Sequence, residues 1–309
     1  MEKKISIVIP FFFNESSIEK LIERLLILEV RLKERNFLME LVFVDDGSGD
    51  KSFEKIYNFK LNRNNTKIIK LTRNFGAVFA VKEGLKHITG DCFTTLAADL
   101  QDPPENILKM IDRWSNGSKF VVCVRESRED SFLKKYLARL FYILIRKFII
   151  PNYPKYGYDM ALLDRSILIH LINSSKTIFY SVHLYWLGFK PDIIFYKRVK
   201  RQEGKSRWTF YKNVNTALDV LLGSSPKFIQ SLSLFGICIS LSSLLYGLLI
   251  IVNAFLGKIP VPGYATTIVI LSFFFGLIIF YLSIIQEYLW RIFEEVNRKP
   301  EVIIEKIYD

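Results

Sequence analysis

The sequence predicts an α/β protein: a mostly parallel sheet with helices on both faces, followed by a C-terminal two-helix transmembrane hairpin. Three observations carry this. Short apolar runs alternate with helical stretches through the first 125 residues, the pattern of a parallel sheet covered on both sides. Acidic, glycine-containing turns follow those runs, and the carboxyl ends of strands are where open α/β sheets hold ligands. Charge then disappears near the C-terminus: no Asp, Glu, Lys or Arg lies between Lys227 and Lys258, or between Lys258 and Glu287. Each interval exceeds the roughly 20 residues that span a bilayer.

The elements follow in order. Residues 5–9 and 40–44 read as short buried strands. Between them, Ile18, Leu21, Ile22, Leu25, Leu28 and Leu32 recur at helical spacing over 16–34, with Ser16 or Ser17 as cap. A strand at 67–71 precedes a helix at 77–87; a β-rich run at 91–96 precedes a helix at 104–114; a strand follows at 120–124. Over 132–150, Leu133, Leu137, Leu140, Phe141, Leu144 and Phe148 form one apolar stripe flanked by Lys134, Lys135, Arg139, Arg146 and Lys147. Such a basic amphipathic helix lies either in a membrane interface or against the core, and the stripe is the same in both cases.

The turn from Gly257 to Gly263 joins the two uncharged intervals. Lys212 and Lys227 precede the hairpin and Arg291, Arg298 and Lys299 follow it, against the single Lys258 in the loop, so the positive-inside rule puts both ends in the cytoplasm. The expected organisation is a cytoplasmic nucleotide-binding domain over 1–212, an interfacial segment over 213–230, the hairpin over 231–286 and a cytoplasmic tail over 287–309.

Composition narrows the partners. The 309-residue chain carries +12, with 43 Lys and Arg, yet half its residues are hydrophobic and 26 are Phe. Basic and apolar together point to anionic membrane lipid; no recognition motif or dense basic stripe marks a nucleic-acid binder. Cys92, Cys123 and Cys238 show neither metal-site nor disulfide-framework spacing and sit in apolar runs, so buried free thiols are expected. The start, Met1 to Ile9, has no signal-peptide pattern.

Four stretches carry chemistry: Pro10-Phe11-Phe12-Phe13-Asn14-Glu15, Asp45-Asp46-Gly47-Ser48, Thr72-Arg73-Asn74-Phe75-Gly76 and Asp99-Leu100-Gln101-Asp102-Pro103-Pro104-Glu105. All follow expected strands and so share one rim. Acidic groups there can bond a base or ribose, and a carboxylate beside an amide oxygen suits Mg²⁺ or Mn²⁺ on a diphosphate. The plainer reading of the last stretch is a loop whose Asp102 caps a helix.

With these motifs the chain resembles the family 2 glycosyltransferases of GT-A fold, in particular the polyprenyl-phosphate glycosyltransferases, which include dolichol-phosphate mannose synthase and bactoprenol glucosyltransferases. The resemblance extends through Val124-Arg125-Glu126-Ser127-Arg128, Gly188-Phe189-Lys190, the block from Arg201 to Trp208 and Gln286 to Arg291. It implies that Pro10, Glu15 and Asp45 or Asp46 hold the nucleotide and that Asp99 and Gln101 bind Mg²⁺ or Mn²⁺. Arg125, Arg128 and Arg201 would meet lipid phosphate or donor diphosphate, as a guanidinium fork suits phosphate. A solvated loop is the alternative for Arg125 and Arg128; for Lys205 and Arg207 it is contact with lipid headgroups. Asp159 matches a family Asp near the acceptor, placing the phosphate or capping a helix. His87, His170 and His183 are scattered and read as structural.

The implied activity is inverting transfer of a sugar, from a UDP-sugar as the weighted choice, to polyprenyl (undecaprenyl) phosphate at the bacterial inner membrane. The product would be a lipid-linked sugar for cell-envelope glycans, and the two-helix anchor offers a surface for homo-oligomers. A processive polysaccharide synthase is disfavoured, because four residues separate Gln202 from Arg207-Trp208, where the Gln-X-X-Arg-Trp of those enzymes has two. A flippase is disfavoured by the lack of charge within the hairpin. The alternative of another class is a catalytically weakened membrane scaffold or regulatory subunit. It is motivated by two departures: Ala97 stands where the family has the first Asp of Asp-X-Asp, and three residues separate Pro10 from Asn14 where two are usual. The first bears on metal affinity and the second on base contacts.

Overall fold

The structure is a computed structural model; it describes residues 2–126, 132–174, 180–197, 263–297 and 300–309, with scattered positions between 217 and 256. Two compact units are present: Met1–Ser224 with Pro300–Asp309, and Ser225–Lys299.

The first unit is built on an eight-stranded sheet. In chain order it contains β1 (Lys3–Phe11), α1 (Glu15–Lys33), β2 (Phe37–Asp45), α2 (Ser52–Lys60), β3 (Thr66–Leu71), α3 (Ala77–Leu85), β4 (Cys92–Thr95), α4 (Asn106–Ser115), β5 (Phe120–Arg125), α5 (Phe132–Phe148), β6 (Met160–Asp164), α6 (Arg165–Ile172), α7 (Tyr180–Trp186), β7 (Asp192–Tyr196) and β8 (Ile304–Tyr308). The strand order is β7-β5-β6-β4-β1-β2-β3-β8. Strands β3, β2, β1 and β4 run parallel, β6 is antiparallel to both β4 and β5, and β7 is parallel to β5. The sheet is therefore mixed but mostly parallel.

Alternation along β1 explains the layers. Ile5, Ile7 and Ile9 pack with Leu21 and Leu25 of α1 and Ile107 and Ile111 of α4, while Val8 joins Leu85 of α3, Ile145 of α5, Ile167 of α6 and Leu184 of α7 on the other face. Each such fully buried side chain contributes roughly 1.5–3 kcal/mol of transfer free energy. Helix α5 meets the core-facing expectation through part of its stripe. Its Phe141 packs against the core beside buried Ile145, whereas Tyr136, Leu140 and Ile143 are exposed.

Sequence patterning misses α2, β6, α6, α7, β7 and β8. The most consequential is β8: within the stretch expected to be a tail, Ile304–Tyr308 pairs antiparallel with β3 and closes that edge of the sheet. Thr72 N donates to Ile303 O at 3.0 Å, Lys82 reaches Glu301 at 2.7 Å, and Lys70 reaches Glu305 at 2.9 Å. The ring of Tyr308 packs on Phe53 and Tyr57.

In the second unit, α8 runs from Tyr264 to Val296, about 50 Å at 1.5 Å per residue. Its stretch Phe273–Trp290 is long and apolar enough to cross a membrane. The described positions between 234 and 253 are helical, and a Cβ at Gly236 would collide with the Tyr281 ring, so the missing side chain lets α8 approach. Cys92 and Cys123 are buried free thiols as expected, with burial pushing Cys123 up to about 12. Cys238 is exposed, contrary to expectation: a uniformly apolar helix buries only the side that meets another helix.

Candidate active site

Two groups of residues stand at the carboxyl ends of the strands. The first gathers around β1, β2 and β3. The extra residue after Pro10 does not slip the strand, since β1 keeps its register to β2 through Phe11↔Asp45. The loop absorbs it: Phe13 turns at φ 53°, with its N–H on Ser48 Oγ at 3.2 Å. Asn14 closes the turn, accepting from Phe12 N at 3.0 Å and donating its own N–H to Ser52 Oγ at 2.8 Å. The Glu15 carboxylate accepts from Lys51 N at 3.3 Å, at the start of α2. Pro10 is half-buried inside β1.

The neighbouring acids do different jobs. Asp46 accepts from Phe75 N at 2.7 Å through Oδ1 and from Gly76 N at 3.0 Å through Oδ2, which fastens the loop after β3. Asp45 is fully buried; Oδ1 accepts from Ser48 N at 2.9 Å and Oδ2 has no partner. Burial holds both carboxyls above the ordinary range, against the bonds from Ser48 and from Phe75 and Gly76. Gly47, at φ 77°, leaves room where a Cβ would stand 2.6 Å from Arg73 C.

The second group begins after β4. Ala98 O accepts from Ser17 Oγ at 2.9 Å, tying the segment to α1, while Ala97 is exposed. Leu100 sits at φ 57°, a left-handed conformation costing a bulky residue roughly 1–2 kcal/mol. Its side chain packs against the core, and Asp99 Oδ1 accepts from Gln101 N at 3.2 Å, which together hold the turn. Backbone strain of this kind gathers at ligand sites. Asp102 caps no helix: α4 starts at Asn106 after Glu105, and Asp102 Oδ1 instead lies 2.7 Å from Tyr196 Oη at the end of β7. The same hydroxyl lies 2.8 Å from Asp159 Oδ2. Asp159 precedes a strand, so helix-capping is not its role; its N–H bonds Cys123 O at 3.1 Å.

Asp159 is also the partner of Arg125. Nε lies 2.8 Å from Oδ2 and 3.1 Å from Oδ1, and Nη2 meets Oδ1. Burial pulls the guanidinium down, but the Asp159 carboxylate outweighs it and holds Arg125 above its ordinary value. Nη1 takes no part in this pair. Arg128, Arg201, Lys205 and Arg207 lie outside the described residues.

Among the described residues, no three His, Cys, Asp or Glu side chains gather as a metal cage. Asp99 and Gln101, one carboxylate and one amide on a single tight turn, fit a hard cation that keeps waters and takes phosphate oxygens. Two of the three histidines have structural partners: His87 pairs with Glu83 at 3.2 Å and His183 stacks on Trp186. Tyr196 is the site residue that sequence reasoning missed, because it ends an edge strand with no motif of its own.

Comparison with known proteins identifies the family and supports the fold. The model of "Glycosyl transferase family 2" matches residues 6–172. An uncharacterized glycosyltransferase of Synechocystis sp. is 32% identical over 311 residues, covering 100% of this chain and 96% of that protein. A bactoprenol glucosyl transferase of Shigella phage SfII is 30% identical over 305 residues, covering 98% of each. Among solved structures, glucosyl-3-phosphoglycerate synthase from Mycobacterium tuberculosis in complex with Mg²⁺ and uridine diphosphate aligns with a TM-score of 0.50 at 14% identity, over 71% of this chain and 77% of that one. That likeness speaks to the fold.

Proposed function

The chain belongs to glycosyl transferase family 2, and from that we propose that it is a membrane-bound inverting glycosyltransferase moving a sugar from a nucleotide-sugar to a polyprenyl phosphate. The observation that carries the acceptor is the 98% coverage of both chains in the match to a bactoprenol glucosyl transferase. It extends beyond the sheet unit through the apolar helix, so the relationship includes the part that would meet a lipid. The helical positions at 234–253 and α8 are read as a two-helix hairpin in the bacterial inner membrane, with the sheet unit in the cytoplasm.

The resemblance and the described geometry support the following roles. Asp45 is assigned to the nucleotide by the resemblance; its Oδ2 is buried and has no protein partner. Asp46 keeps the Phe75-Gly76 loop in place for the donor. Pro10 and Glu15 flank the same end of β1. Asp99 and Gln101 would hold Mg²⁺ or Mn²⁺, which offsets the charge of a departing nucleoside diphosphate.

A phosphate monoester is already anionic at neutral pH, so its oxygen can attack the anomeric carbon as the sugar–diphosphate bond breaks, inverting that centre. No strong general base is needed, which agrees with an Asp159 committed to Arg125. Catalysis is then alignment and charge compensation. Arg125 presents Nη1, while Arg128, Arg201, Lys205 and Arg207 are assigned to phosphate or headgroup by the resemblance. The test is a screen of sugar nucleotides against undecaprenyl phosphate with the full chain in detergent. A lipid-linked sugar is expected; binding of donor without product from any pair favours the weakened scaffold that Ala97 suggests.

A further inference from the structure

Tyr196 joins two segments that the sequence keeps far apart. Its hydroxyl stands 2.7 Å from Asp102 Oδ1, on the loop that carries Asp99 and Gln101, and 2.8 Å from Asp159 Oδ2, whose carboxylate grips Arg125. Its ring is buried with the core on the α1 and α4 face, so the hydroxyl cannot swing away without disturbing packing. Asp102 is 5% exposed and the Asp159 side chain 9% exposed, leaving water little access to replace the bridge.

We propose that Tyr196 is a positioning residue that couples the metal-and-diphosphate side of the site to the arginine that receives phosphate. A hydroxyl has one proton and donates fully to one carboxylate at a time. When the turn at Asp99–Gln101 engages a diphosphate, Asp102 three residues on from Asp99 shifts its share of that proton. Asp159 then tightens or loosens its hold on Arg125. Filling one side of the site thereby sets the orientation of the other, and charge-assisted contacts in a partly desolvated network transmit it strongly. The idea rests on the glycosyl-transfer reading for the identity of the two ligands, but the coupling itself can be read without turnover.

The test uses the full chain in detergent and compares wild type with Tyr196→Phe and with Ile194→Ala, a neighbour on the same strand that packs in the same core without reaching the acids. Backbone hydrogen exchange over 156–162 is followed with and without uridine diphosphate and Mg²⁺. Nucleotide is expected to slow exchange there in wild type and Ile194→Ala and to leave it unchanged in Tyr196→Phe. In transfer assays Tyr196→Phe should lose about tenfold in kcat with donor KM near wild type, whereas Ile194→Ala loses thermal stability alone. Equal nucleotide protection in Tyr196→Phe and wild type overturns the proposal, as does its absence from wild type. If wild type transfers no sugar yet the exchange coupling depends on Tyr196, the coupling stands and the glycosyl-transfer reading falls.

Discussion

Gly47 and Arg73 meet backbone to backbone: a Cβ on Gly47 would lie 2.6 Å from the carbonyl carbon of Arg73 and 2.9 Å from its Cα. The turn after β2 and the loop after β3 are thus packed together at a point where no side chain can yield. Gly47→Ala is expected to destabilise the sheet unit by at least roughly 1–3 kcal/mol, the cost of a strained positive φ, with the backbone collision in addition. Chemical denaturation checks the stability, and nucleotide binding to the folded fraction should fall with it.

Asp45→Asn is expected to stabilise the protein at neutral pH while weakening donor binding. Burial raises the Asp45 pKa above its ordinary value of 3.8. The folded state therefore binds that proton more tightly than the unfolded chain. The favourable effect of the neutral form is present below 3.8 and is lost as pH rises through the folded pKa. Thermal melts from pH 7 downward should show the gap between variant and wild type closing. A variant less stable than wild type at pH 7 would contradict this account.

Asp99→Ala should abolish transfer, while Ala97→Asp should tighten metal binding and retain activity. With Ala97 exposed beside the turn, an added carboxylate is solvated at little cost. In wild type, metal alone should bind weakly and metal with nucleoside diphosphate cooperatively, because the diphosphate supplies the missing negative charge. Calorimetric titration of Mg²⁺ with and without uridine diphosphate measures this. Activity indifferent to chelator would remove the metal from the turn.

Glu301→Gln is expected to cost roughly 1–3 kcal/mol, since Lys82 is 11% exposed and would keep its charge with no counter-ion. Removing residues 303–309 should cost more and also lower nucleotide affinity, because Thr72 loses the acceptor that anchors the loop after β3. Denaturation curves and nucleotide titration report the two effects separately.

The proposed orientation places Lys3 in the cytoplasm. In a Lys3→Cys variant, an impermeant thiol reagent should label only after cells are opened. Labelling of intact cells would reverse the topology.

Much of the sheet was legible because β1, β2 and β3 are largely buried and read as mostly apolar runs, such as Ile5 to Ile9 with Ser6 the one polar residue. The rim was legible because Asp45-Asp46-Gly47 and Asp99-Leu100-Gln101 are local turns whose chemistry is written in adjacent residues. What escaped depends on distance in the chain. Nothing in Asp192–Tyr196 marks Tyr196 as the partner of Asp102 and Asp159, and Ile304–Tyr308 has too few residues to show periodicity. That Asp46 rather than Asp45 fastens the loop after β3 was equally hidden, since its partners Phe75 and Gly76 lie some thirty residues away in the chain.

The strand β8 has a consequence for how the molecule is made. Residues 304–308 leave the ribosome after the whole of α8, yet they cover the open side of a sheet whose first strand was synthesised some 300 residues earlier. Until then β3 presents unpaired N–H and C=O groups, the template on which foreign strands add. Translation that stalls within α8 therefore leaves an adhesive edge, and a completed chain hides it. The sheet is sealed last, and its sealing reports that the apolar helix before it has been translated.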